Sequence, residues 1–123
     1  MSQTAIVLFA HGSRDPSWHR PIEAVAQLIQ QRSPDVPICC AYLELSPPDL
    51  PSAVLELLKA GHQRIRILPM FLGVGRHARE DLPQLLQDLQ RRHPQVTFEL
   101  LGAVGEHPEM TRLMAEIALH GLF

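Results

Sequence analysis

The run Thr4–Ala10, T-A-I-V-L-F-A, ended at once by His11-Gly12-Ser13, decides how the rest of the chain is read. A run of this length, β-branched at its centre and without polar alternation, predicts a strand covered on both faces, as in a parallel sheet. Working outward, Ile22, Val25, Ala26 and Ile29 recur at helical spacing over Pro21–Gln31, and Ser33-Pro34 stops the pattern. Ile38–Leu43 is a second apolar run. Ser52–Ala60 reads as a second helix closed by Gly61. Arg64–Met70 is a third strand, with Pro69 near its end. A helix from Arg79 to Arg92 carries the stripe Leu82, Leu85, Leu86 and Leu89. Val96–Leu101 is a fourth strand, and Glu109–Leu119 a last helix with Leu113, Met114, Ile117 and Ala118 apolar. This βαβαβαβα order predicts an α/β domain spanning residues 1–123, with a parallel sheet and helices on both faces.

Composition narrows the partners. A chain of 123 residues fits one domain with a radius of gyration of about 14 Å, so a large substrate would have to be shared between subunits. The net charge of −2 argues against broad electrostatic binding to nucleic acid or acidic membranes, and 5% aromatics leave few platforms for stacking bases. The start, Met1-Ser2-Gln3-Thr4, has no basic region, and the apolar run behind it is too short for a signal peptide or membrane span. Cys39 and Cys40 are adjacent, so in a strand they point to opposite faces. They read as small strand residues in a reducing, cytoplasmic setting. The 11 prolines punctuate the boundaries between elements.

In an open parallel sheet, ligands bind beyond the carboxyl ends of the strands. The four loops there each hold a histidine or carboxylate: His11 to Asp15 after the first strand, Glu44 after the second, Gly73 to Asp81 after the third, and Glu106-His107 after the fourth. His11 precedes a glycine that lets the backbone turn sharply, and His77 sits in the glycine-rich third loop before a helix. Together they can form an open two-imidazole site for a divalent transition metal, able to deliver the ion rather than keep it. Glu44 is a third ligand or a proton acceptor. Arg14, Arg76 and Arg79 surround the histidines and suit a substrate rich in carboxylates or phosphates, unless paired with Asp15, Glu80 or Asp81. Gly73-Val74-Gly75 is too short for a dinucleotide fingerprint, and no phosphate-loop lysine motif occurs. Trp18 reads as packing at the start of the first helix. His19, His62, His93, His107 and His120 are scattered, with only His107 on the same edge.

At Ala10-His11-Gly12-Ser13-Arg14, Leu43-Glu44, Leu68-Pro69-Met70-Phe71-Leu72, Gly75-Arg76-His77, Asp81-Leu82-Pro83 and Gly102, the chain resembles the small sirohydrochlorin chelatases of cobalamin and sirohaem biosynthesis. These are the short form of the class II tetrapyrrole chelatases, and the likeness runs through nearly the whole chain. Leu82 departs from the isoleucine common at its position, and a histidine-rich tract seen in some relatives is missing. The resemblance implies strand order 2-1-3-4 and insertion of Co²⁺, with Fe²⁺ second, into sirohydrochlorin without a nucleotide. It implies His11 and His77 as metal ligands and Glu44 as their acidic companion. Ser13, Arg14, Gly75, Arg76 and Arg79 would then meet the carboxylate-rich macrocycle. Longer relatives carry two similar halves facing one cleft, which implies that this chain works as a homodimer.

Two rivals differ in class. A metal-binding or tetrapyrrole-carrier protein would use the same cleft without turnover. A histidine-phosphatase-like hydrolase would place an arginine before the loop histidine, where this chain has Ala10.

Overall fold

The computed structural model describes residues 4–121 and, for His77 and Ala78, the backbone alone. Four parallel strands, β1 (Ala5–Ala10), β2 (Ile38–Tyr42), β3 (Arg64–Pro69) and β4 (Thr97–Leu100), form one sheet in the order β2-β1-β3-β4. Val7 lies between Cys39 and Ile67 in register, and Ile67 next to Leu100. The connecting helices are α1 (Arg20–Arg32), α2 (Leu50–Lys59) and α3 (Arg76–Arg92), with α4 (Pro108–His120) after the last strand. The chain moves one way from β1 to β2 and the other way through β3 to β4. Right-handed crossovers then put α1 on one face and α2 and α3 on the other.

The main core lies on the α2/α3 face. Ala5, Val7, Phe9, Ala41, Ile65 and Ile67 from the strands meet Val54 and Leu57 of α2 and Leu89 of α3. Phe9, Ile65, Ile67, Leu89 and Val54 are fully buried, and each large side chain contributes about 1.5–3 kcal/mol relative to exposure. Cys39 joins this face. Burial pushes its thiol up to about 11, aided by its neighbour Cys40, so it is a poor thiolate ligand. Cys40 and Tyr42 alternate with Cys39 and Ala41 along β2, which turns them to the opposite face.

Helix ends follow local chemistry. Asp49 caps α2 by accepting from the backbone N–H of Ser52 at 2.9 Å. Gly61, at φ +95°, ends that helix as expected. Its N–H bonds to Leu58 and that of His62 to Leu57, satisfying the last carbonyls.

One expectation needs correction, and two outer elements are less covered than the central strands. α3 begins at Arg76 rather than Arg79, because Gly75 takes an extended capping conformation and the Arg79 N–H reaches its carbonyl at 3.1 Å. The backbone of His77 is therefore in the first turn of a helix, not in a loop, and Pro83 is accommodated inside that helix. β4 is not covered on both faces: Thr97 and Glu99 are exposed, and Glu99 pairs across the sheet with Arg66. The stripe on α4 is not buried, since this helix packs mainly on the 3₁₀ turn Val104–Glu106 and Leu113 and Met114 stay exposed. Among the described residues, no helix is long and apolar enough to cross a membrane.

Candidate metal-delivery site

The order β2-β1-β3-β4 puts the reversal of winding between β1 and β3, and His11 leaves β1 at that point. The ladder continues one step past the strands: Leu43 N–H bonds to Ala10 O at 2.8 Å and Met70 N–H to Phe9 O at 2.7 Å. The loops that follow therefore start in fixed positions. α3, which bears His77, follows β3 on the other side of the reversal.

His11 Nδ1 lies 3.3 Å from Glu44 Oε1 and 3.4 Å from Oε2, and the Gly12 N–H donates to the same Oε1 at 3.2 Å. An ionised carboxylate can only accept, so Nδ1 carries the proton, and in the neutral ring Nε2 keeps the lone pair. A carboxylate on one ring nitrogen fixes the orientation of an imidazole and leaves the other nitrogen able to bind a metal ion. The ring rests on Phe71 with centroids 4.7 Å apart, and Trp18 Nε1 donates to the His11 carbonyl at 2.9 Å. Trp18 is thus not simply packed at the helix start; it is half exposed and anchors the His11 loop.

Gly12 is required by contact. A Cβ there would lie 1.8 Å from the Glu44 carbonyl oxygen and 2.9 Å from Ser46 Oγ. On the other side, Leu45 sits at φ +67° between Glu44 and Ser46, whose N–H bonds back to Glu44 O at 2.8 Å. That tight three-residue turn is strained for a side chain of this size, by about 1–3 kcal/mol. It is the turn that presents the Glu44 carboxylate.

The other candidates divide. Ser13 Oγ accepts from Asp15 N–H at 3.1 Å, so its hydroxyl shapes the loop, while Arg14 is exposed on the same loop. Gly75 starts α3, Arg79 Nε donates to Val74 O at 3.2 Å, and Arg76 reaches Glu80 at 3.8 Å one helical turn on. The side chain of His77 lies outside the described residues. His107 caps α4, its Nδ1 accepting from Glu109 N–H, which gives it a structural task. Among the described residues, no three His, Cys, Asp or Glu side chains form a metal cluster. Ser46 and His19, which the sequence does not single out, lie beside the His11 loop: His19 Nε2 is 3.0 Å from Ser46 Oγ.

A cleft of about 240 Å³ opens beside His11, lined by Ala10, Trp18, Pro21, Ile22 and Met70. A larger apolar groove of about 570 Å³ runs from Leu68 and Leu101 to Met110 on α4. Pockets that enclose a drug-sized ligand hold about 300–1,000 Å³, so the cleft beside His11 cannot enclose a macrocycle by itself.

Comparison with known proteins places this geometry in context. Residues 5–119 match the CbiX family. A sirohydrochlorin cobaltochelatase of Methanothermobacter thermautotrophicus is 33% identical over 81 residues, 66% of this chain and 56% of the relative. The chain spans about three fifths of the length of this and two other curated relatives that it matches. A solved structure from Marinobacter aquaeolei VT8, named for CbiX and cobalamin (vitamin B12) biosynthesis, aligns with TM-score 0.82 at 30% identity over 97% of both chains. The sirohydrochlorin chelatase SirB of Bacillus subtilis subspecies spizizenii, solved with cobalt, shares the fold at TM-score 0.79 and 22% identity. It covers 97% of this chain but 50% of SirB.

Proposed function

The chain belongs to the CbiX family, and from that premise we propose that it is a sirohydrochlorin chelatase, inserting Co²⁺ or, second, Fe²⁺ into the macrocycle. The observation that carries the reading is His11 at the winding reversal, with its Nδ1 held by Glu44 and its Nε2 lone pair available. Inserting a divalent ion requires ligands weak enough to release it to the ring nitrogens and a base for the pyrrole protons. His11 and His77 hold the ion. Glu44 orients His11 and accepts one pyrrole proton as the nitrogens take the metal, and the second leaves to bulk water. Ser13, Arg14, Gly75, Arg76 and Arg79 line the path of the carboxylate-bearing rim, and the reaction calls for no nucleotide.

The working unit in this proposal is a homodimer of one-domain chains, acting in the cytoplasm without nucleic acid or membrane. Support comes from the cleft beside His11, too small for the substrate, and from the uncovered apolar side of α4. The match to half of SirB points the same way, since a second copy would supply the missing half.

Mixing the purified protein with Co²⁺ and sirohydrochlorin and following the macrocycle absorbance tests the activity. Insertion faster than the spontaneous reaction is expected; an equal rate would leave a carrier without turnover.

A further inference from the structure

We propose that His19 and Ser46 form a positioning pair that sets the distance between the His11 loop and the Glu44 loop, and so the geometry at which metal is bound and released. This rests on His11 being the metal ligand. Ser46 Oγ bonds twice to one residue of the opposite loop, accepting from Ser13 N–H at 3.0 Å and donating to Ser13 O at 2.7 Å. The hydroxyl thereby does what a neighbouring strand would do, one residue past Gly12. The third bond to Ser46 Oγ comes from His19 Nε2 at 3.0 Å.

The protons of this cluster can be assigned. A carbonyl oxygen only accepts, so the single Ser46 hydroxyl hydrogen belongs to Ser13 O. The Ser13 N–H only donates. His19 Nε2 must therefore carry a hydrogen and donate to Oγ. An imidazole in that state cannot take the serine proton, so the pair is no activated nucleophile. Its role is mechanical.

His19 is itself held. Its ring stacks on Tyr42, the buried last residue of β2, with centroids 4.4 Å apart, and the Tyr42 N–H bonds to Pro48 O at 2.9 Å. Its neighbour Trp18 grips the His11 carbonyl. The 3₁₀ turn Pro16–His19, capped by Asp15, thus holds the metal loop by one residue and the carboxylate loop by the next. With His11 and Glu44 already at a long 3.3 Å, a small slip between these loops would break their contact.

The test compares His19→Ala, His19→Gln and Ser46→Ala with the wild type. Co²⁺ affinity is measured by calorimetry, kcat and KM for sirohydrochlorin by absorbance, and folding by thermal melting. His19→Ala and Ser46→Ala are expected to weaken Co²⁺ binding about 10- to 100-fold and to lower kcat with KM unchanged. His19→Gln, whose amide can still donate to Oγ, is expected to restore most of both. Wild-type Co²⁺ affinity in His19→Ala and Ser46→Ala, or loss in His19→Gln as deep as in His19→Ala, would overturn the proposal. If Ser46→Ala does not fold, the pair of variants at the part-buried His19 decides alone. A wild-type protein that binds Co²⁺ but inserts no faster than the spontaneous reaction removes the chelatase reading, and the affinity comparison still judges the pair. A wild type that binds no Co²⁺ overturns both.

Discussion

Glu44 holds His11 by one ring nitrogen and leaves the other without a hydrogen-bond partner among the described residues: Nδ1 lies 3.3 Å from Oε1. One carboxylate is thereby given two tasks that mutation can separate. Glu44→Gln keeps an acceptor for Nδ1 but cannot take a pyrrole proton, whereas Glu44→Ala loses both. Co²⁺ binding measured by calorimetry is expected to fall about 10- to 100-fold in Glu44→Ala and much less in Glu44→Gln. Insertion followed by absorbance is expected to fall to a similar extent in both.

Gly12 marks where the two loops touch. Gly12→Ala would drive a Cβ to 1.8 Å from the Glu44 carbonyl oxygen, so the backbone would have to shift. Overpacking of this kind costs about 1–3 kcal/mol. Urea unfolding should show that loss, and calorimetry should show Co²⁺ binding abolished because the His11 and Glu44 loops are forced apart.

Much of this was legible before any coordinates. The alternation of apolar runs and helical stripes predicts the parallel sheet, and the carboxyl-edge rule brings His11 and Glu44 to one place although 33 residues separate them. The uncovered face of β3 and β4 was also written in the chain, where Arg64 and Arg66 alternate with Ile65 and Ile67, and Thr97 and Glu99 with Phe98 and Leu100. What periodicity does not carry is how loops close on each other. His19 and Ser46 stand 27 residues apart in irregular segments, and only the fold of the turn between His11 and α1 brings them together. The start of α3 is hidden from periodicity for a related reason. Gly75 looks like loop chemistry, but here its extended backbone caps the helix.

Asp49 gives a pH signature away from the site. Hydrogen bonds from the Ser52 side chain and backbone hold its carboxyl below the ordinary value of 3.8. A carboxyl lowered in the folded state contributes stability above its unfolded value and loses it as pH falls toward the folded one. Asp49→Ala should therefore cost about 1 kcal/mol at neutral pH in urea unfolding, as removal of a helix cap does. The gap between variant and wild type should shrink as the pH drops below 3.8.

The apolar side of α4 makes assembly testable. Leu113 and Met114 are 44% and 36% exposed on a helix with no buried residue. Light scattering is expected to give the wild type twice the mass of one chain. Leu113→Glu should give single chains, with insertion activity lost because the second wall of the cleft is gone.

The central claim is that His11 carries the ion to the macrocycle. Its most direct test is the initial rate of Co²⁺ insertion into sirohydrochlorin by the wild type and by His11→Ala, each confirmed folded by circular dichroism. The account predicts a wild-type rate well above the spontaneous one and a His11→Ala rate equal to it. A His11→Ala protein that inserts cobalt as fast as the wild type would contradict it.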